Sequence, residues 1–249
     1  MAGAKPVTEP VASAEVAIGV VGGGQLALML AAAARKLNVP LHVLTPGAQD
    51  PATALASSVV LAELDDVAAT RELARRSGAI TFENEWVDLP ALAPLSFDGV
   101  VFLPSLEALA PLVSKRGQRQ LLQDQGLPCP RWCDLPTSGL LPEGFNYPLM
   151  AKASTGGYDG KGQFVLQTSE DLQEFLGRHY KSEIVYVAEK ALDFDMELSA
   201  IVCRNARGEC SVFPIAENIH RNQILHQSIV PARVPERIHQ KAKDLALKI

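Results

Sequence analysis

The sequence has little of what marks a disulfide scaffold, a membrane protein or a nucleic-acid binder. Only four cysteines occur in 249 residues. Cys129 and Cys133 lie within CPRWC, and Cys203 and Cys210 are seven positions apart. Neither pair forms a CxxC, and no histidine stands beside them at zinc-finger spacing. Free thiols in a reducing compartment are therefore expected, the cytoplasm or, were the N-terminal tail a transit fragment, a plastid stroma. No apolar run reaches the length of a bilayer-spanning helix. The net charge of −5 argues against nucleic acid or an anionic membrane as main partner. What the chain does have is core-forming residues: 47% are hydrophobic, well outside the disordered regime. Its length is comfortable for two domains. Residues 1–15, MAGAKPVTEPVASAE, lack the apolar centre of a signal peptide and read as a mobile tail.

The first half alternates short apolar runs with helical patterns. VAIGVV (16–21), LHVL (41–44), AITF (79–82) and VVFL (100–103) read as buried strands. The Ala/Leu-rich segment 25–37 and the Arg/Glu-rich segment 67–76 read as helices. This rhythm predicts an α/β fold with an open, doubly wound parallel sheet over residues 16–113. After Ser114 the character changes. KRGQRQLLQDQ is a charged helix, followed by a connector, 126–148, with five prolines. Beyond it come strand candidates with hairpin signals: PLMAKA, GQFVLQ, IVYVAEK, MELSAIVCR, CSVFPIAE and QILHQSIVPA. A helix opened by Ser169 is interposed. Residues 114–249 are thus expected to be α+β.

Two glycine clusters carry the chemistry. VVGGGQLA follows a strand and opens a helix, so Gly22, Gly24 and Ala27 fit a dinucleotide fingerprint. The acid that should end the second strand is missing, because Thr45 and Pro46 follow Leu44 and Asp50 lies past a turn. The favoured reading is a helix N-terminus that holds one anionic group of a small substrate. The second cluster, STGGYDGKGQ (154–163), fails as a P-loop: Thr155 stands where the first glycine belongs, and Gly162 follows Lys161. Lys152, just upstream on an apolar strand, needs an anion, and glycine amides in the adjoining turn suit phosphate. A solvated hairpin with an edge lysine is the bland alternative. Downstream, Glu189 ends a strand whose exposed backbone suits adenine, and Glu197 enters the next from an acidic turn. AENIHRNQILHQ then sets Glu217, Asn218, His220, Arg221 and His226 on one polar stretch.

With these residues in place the chain resembles the ATP-grasp superfamily, and within it the branch that carboxylates 5-aminoimidazole ribonucleotide in purine biosynthesis. VVGGGQLALML, AITFENE, KRGQRQLLQDQGLP, AKASTGGYDGKGQF, VAEKALDFDMELS and AENIHRNQILHQSIVPA carry the likeness, in the family's order. The resemblance implies a pre-ATP-grasp domain followed by an ATP-grasp domain. It implies ATP and bicarbonate as substrates, carboxyphosphate as intermediate, and Mg2+ or Mn2+ as cofactor. Lys115 and Lys152 should meet the phosphates under a lid of Gly157, Tyr158, Asp159, Gly160, Lys161, Gly162 and Gln163. Glu189, Lys190, Ala191 and Leu192 match the adenine hinge, Glu197 the ribose ligand and His220 a further nucleotide position. Tyr158, Asp159 and Lys161 should also face the aminoimidazole ribonucleotide, with Gly24, Gln25 and Glu83. Lys152, Tyr158, Asp159 and Lys161 are the candidate catalytic residues. The resemblance also allows a homodimer.

Two departures stand out. The family usually reads GGGQLGRM where this chain has Ala27 and Leu28. The family's metal-binding carboxylates are expected beyond Ile249, so the ATP-grasp region reads as C-terminally incomplete and weakly active, with no metal ligand of its own. The alternatives are another ATP-grasp ligase, transformylase-like or biotin-carboxylase-like, a non-catalytic nucleotide-binding remnant, and a nicotinamide dehydrogenase built on the first glycine cluster. Titration calorimetry with NAD is expected to show no binding; a measurable heat of saturation would restore the dehydrogenase reading.

Overall fold

The computed structural model describes residues 17–156, 162–179, 184–205, 207–221 and 224–249. The predicted tail and residues 157–161 of the glycine-rich stretch lie outside the described residues. Two compact units divide between Val113 and Ser114. No helix among the described residues is long and apolar enough to cross a membrane.

The first unit holds a four-stranded parallel sheet in the order β3-β2-β1-β4, formed by β1 (Ile18–Val21), β2 (Leu41–Thr45), β3 (Ser58–Leu61) and β4 (Ala79–Phe82). Successive residues of each strand point to opposite faces, and both faces are covered. Val20 and Val43 pack against Ala27, Ala31 and Ala34 of helix α1 (Gln25–Lys36). Val21 and Leu44 pack with Leu73 of α2 (Val67–Ala74) and with Leu92 and Leu95 of α3 (Leu89–Phe97). This two-sided burial explains the unbroken apolar runs. VVFL, expected as a strand, makes only a single parallel bridge from Phe102 to Ile80. Pro104 follows at once, and its missing N–H and its restriction of Leu103 stop the ladder. The segments β3, α3 and α4 (Leu106–Leu109) were not expected; two prolines in α3 disguise its helical pattern.

The second unit opens with α5 (Lys115–Asp124). Inside the proline-rich connector lies an unexpected short strand, β5 (Trp132–Asp134). It joins an antiparallel sheet in the order β5-β8-β6-β7, with β6 (Leu149–Ala153), β7 (Gln163–Leu166) and β8 (Tyr186–Lys190). On one face Leu149, Ala151, Leu166 and Tyr186 form an apolar core with Leu172 and Phe175 of α6 (Ser169–His179). The cap of α6 is Thr168 rather than Ser169. Thr168 Oγ1 accepts from Asp171 N–H, and Asp171 accepts from Thr168 N–H, a reciprocal capping box.

MELSAIVCR is not one strand but two. β9 (Glu197–Ser199) joins β12 (Ala216–Arg221) and β13 (Ile224–Ile229) in a three-stranded sheet, whereas β10 (Val202–Arg204) pairs with β11 (Cys210–Val212). Helix α7 (Glu236–Ala246) follows. All four cysteines are free thiols.

Gly19 of β1 shows how tightly the first unit is packed. A Cβ added there would lie 2.9 Å from Leu73 Cγ and 2.8 Å from Ser77 Oγ. Gly19→Ala is expected to cost about 1–3 kcal/mol through overpacking, and Leu73→Ala about 2–5 kcal/mol through a cavity. The double variant should lose less than the sum, because each change relieves the other. Urea unfolding of the four proteins checks this; strict additivity would show that the two groups do not press on each other.

Candidate functional site

In the first unit the chain runs from β1 outward through β2 to β3, then returns to place β4 on the other side of β1. The strand order reverses between β1 and β4, and ligands of open α/β sheets bind in the crevice at the carboxyl ends of such a pair. Val21 and Phe82 end the two strands in register. Gly22–Gly24 follow the first and Glu83 the second.

The carboxylate of Glu83 is the anion at the start of α1. It accepts from Gly24 N–H at 2.7 Å, from Leu26 N–H at 3.1 Å and from Ala27 N–H at 3.3 Å. These are amides that a helix start leaves unpaired and that favour negative charge. Gly22 has φ +118°, and a Cβ there would sit 2.4 Å from Glu83 Cβ, so only glycine admits this approach. The expected external anion is thus met first by the protein's own carboxylate, a correction to the reading from sequence. Gln25 is exposed in the first turn of α1. Asp50, the acid considered for a ribose, instead closes its own turn by accepting from Thr45 Oγ1 and from Gly47 N–H.

In the second unit the functional side chains lie on the sheet face opposite the α6 core. Antiparallel register sets Trp132 and Met150 beside Glu189, and Gln163 beside Lys152. Helix α5 reaches this face through its side chains and its first amides. Ser114 caps it by accepting from Gly117 N–H. Lys115 N–H donates to Ser154 O at 2.7 Å, just past β6. Arg116 pairs with Asp134 at 2.9 Å. One turn on, Arg119 Nε meets Glu189 Oε1 at 2.7 Å, while Lys152 Nζ meets Glu189 Oε2 at 2.8 Å.

Glu189 is 2% exposed. Burial pushes its carboxyl up, but the hydrogen bonds and charges of Arg119 and Lys152 outweigh that and hold it below its ordinary value. Lys152 therefore has a partner within the protein, not the bare charge that sequence suggested. Two backbone donors of the hinge are also occupied: Lys190 N–H donates to Arg131 O at 2.9 Å and Ala191 N–H to Pro148 O at 3.2 Å. The edge expected to be open to adenine is narrower than the run from Glu189 to Leu192 implied. Lys190 and Leu192 are exposed. Gly162, at φ +79°, turns the chain into β7, and its carbonyl accepts from Ala153 N–H at 2.7 Å. Gly157, Tyr158, Asp159, Gly160 and Lys161 lie outside the described residues.

A second constellation lies on β9, β12 and β13. Glu197 stands directly across from Asn218, and Asn218 from Ser228. Asn218 bridges Ser199 and Ser228 by its amide, and His220 Nδ1 is 3.6 Å from Glu197 Oε1. Glu217, in contrast, is buried against Arg233 as an ion pair that fastens the chain after β13. A concavity of about 880 Å3 lies elsewhere: Leu135, Phe175, Leu176, Val185 and Tyr186 line it, on the α6 side of the sheet. It carries none of the expected site residues. Among the described residues no three His, Cys, Asp or Glu side chains gather as a metal-binding group.

Arg119 and Trp132 were missed from sequence. Arg119 lies four residues after Lys115, on the same helical face, and that spacing was the available signal. Trp132 gave none, because prolines hid its strand.

A parallel unit with a switch-point crevice is followed in the chain by an antiparallel unit whose lysine and buried acid pair with each other and with a polar helix. The chain belongs to the ATP-grasp family. The family model for the ATP-grasp domain matches residues 120–249, and that for the ribonucleotide synthetase preATP-grasp domain matches residues 16–111. Among curated relatives, N5-carboxyaminoimidazole ribonucleotide synthase of Synechocystis sp. is 41% identical over 93% of this chain and 58% of its own length. The enzyme of that name from Bacillus subtilis is 37% identical over 93% of this chain and 61% of its own. Among solved structures, the Aspergillus clavatus N5-carboxyaminoimidazole synthase in complex with ADP and 5-aminoimidazole ribonucleotide superposes with a TM-score of 0.84 at 30% identity. That match covers 94% of this chain and 62% of that one. The chain thus spans about three-fifths of the length of the relatives it matches.

The Glu189 ion pairs predict a pH effect on stability. A carboxyl held below its unfolded value contributes fully above that value, near 4.5, and loses the contribution as pH falls through the folded value. The difference in unfolding free energy between wild type and Glu189→Gln should shrink as pH falls from about 6 to about 3. Chemical denaturation at several pH values measures it; a difference independent of pH would show that the pairs do not hold the carboxylate ionised.

Proposed function

We propose that the protein acts in the ATP-dependent carboxylation of 5-aminoimidazole ribonucleotide by bicarbonate, by way of carboxyphosphate, to give N5-carboxyaminoimidazole ribonucleotide for purine synthesis in the cytoplasm. The observation that carries this reading is Lys152 on Glu189, buried beneath α5, in a chain whose relatives bear that enzyme's name. Residues 16–113 supply the pre-ATP-grasp part and 114–249 the ATP-grasp part.

In this reading Lys152 and Lys115 neutralise the ATP phosphates as charge develops on the transferred group. With Lys190 and Ala191 N–H groups committed, the adenine edge is met by Leu192 N–H and by neighbouring carbonyls. Glu197 accepts from the ribose, and His220 beside it steadies that carboxylate. Gly157 to Gln163 form the lid, which must exclude water because carboxyphosphate hydrolyses readily. Tyr158, Asp159 and Lys161 also act on the second substrate. Gly24, Gln25 and Glu83 at the switch point contribute to holding aminoimidazole ribonucleotide, Glu83 as an acceptor whose geometry α1 fixes. Mg2+ or Mn2+ accompanies ATP; its carboxylate ligands are not gathered among the described residues. In this reading the active protein is a homodimer.

ADP release from ATP and bicarbonate is the test, with 5-aminoimidazole ribonucleotide, glycinamide ribonucleotide with formate, or biotin as acceptor. Only the first is expected to stimulate it, and Lys152→Met should weaken ATP binding at least about tenfold. Stimulation by either other acceptor would transfer the chain to a different ATP-grasp activity. Nucleotide binding with no stimulation would mark a non-catalytic nucleotide-binding module.

A further inference from the structure

Glu189 is one buried carboxylate between two cations, and the two differ in what they are free to do. Lys152 ends a flexible stem on β6, and it is the group that the nucleotide reading assigns to phosphate. A phosphate that draws this ammonium away, wholly or in part, removes half of the charge compensation around Glu189. A carboxylate left bare in such a place takes up a proton or opposes the movement.

Arg119 has no such freedom. Its helix is tied to the sheet independently of any ligand, by Lys115 N–H on Ser154 O and by Arg116 on Asp134. Its guanidinium stays charged at every accessible pH. Among the described residues the charged groups facing Glu189 are Arg119 from α5 and Lys152 from β6. Strand β5 presents Trp132 opposite, and its Asp134, two residues along, is paired with Arg116.

We propose that Arg119 is a positioning residue for nucleotide: it is the standing counter-ion of Glu189 and allows Lys152 to turn to a phosphate without stranding a buried charge. The inference rests on the nucleotide reading of this face and deepens it. Arg119 itself touches no substrate. Its effect is to keep ADP and ATP binding free of proton uptake at Glu189.

The test is titration calorimetry of ADP with the full 249-residue chain, in buffers of different ionisation enthalpy between about pH 6 and 8. Wild type, Arg119→Met and Arg119→Lys are compared, so that the titration of ADP itself cancels. Arg119→Met is expected to take up as much as one additional proton per ADP. Its affinity should be lower by about tenfold or more near pH 8 and recover toward wild type near pH 6. Arg119→Lys should behave as wild type. Glu189→Gln placed in the Arg119→Met background should abolish the additional uptake, which separates this effect from misfolding. A wild-type proton count in Arg119→Met, or an equal loss of affinity at every pH, overturns the inference and leaves the nucleotide reading intact. A wild-type chain that binds no ADP overturns the nucleotide reading first.

Discussion

The buried carboxylate of Glu189 is the constraint around which the second unit is organised. A carboxylate taken from water into a sheet interior is costly unless each oxygen has a charged partner. Here each oxygen has one, Arg119 on Oε1 and Lys152 on Oε2. Satisfying the group fixes three elements at once: α5 through Arg119, β6 through Lys152 and β8 through Glu189 itself. An apolar residue at this position would pack the sheet equally well but would leave a lysine and an arginine unpaired on its face.

The first unit solves a related problem with a backbone instead of cations. The amides at the start of α1 require an acceptor, and Glu83 arrives from the neighbouring parallel strand to supply it. The glycines between β1 and α1 are the condition for that approach. In both units, then, an acid immediately after or at the end of a strand is held in place before any ligand arrives, and such preorganisation is what a binding site requires.

The sequence made the parallel unit legible because strands buried on both faces are written as unbroken apolar runs, VAIGVV and LHVL among them. It concealed β5, whose three residues lie among prolines that argue for a loop, and it joined β9 to β10 because no turn residue separates Ser199 from Val202. Of the candidate site, Lys152 and Glu189 were visible as charged residues on apolar runs, Glu197 as the acid after an acidic turn and His220 as part of a polar stretch. Their pairing was not visible. Glu189 and Arg119 are 70 positions apart, and a contact of that range is set by sheet register and helix docking, neither of which local pattern encodes. The same limit explains Glu83, expected beside the helix start but not as its cap.

Helix α5 has no fully buried side chain, and ion pairs and backbone N–H donation to Ser154 join it to its sheet, whereas α6 holds to the other face through Leu172 and Phe175. Dissolved salt screens the first kind of contact, the exposed Arg116–Asp134 pair most of all, and, when the anion is sulfate or phosphate, strengthens the second. Cooling weakens the apolar face. One sheet therefore carries two attachments with different responses to solvent. Ionic strength can loosen the helix over the lysine while the opposite layer stays packed, and cooling acts on the opposite layer instead, which gives this face a mechanical independence that a uniformly apolar domain would lack.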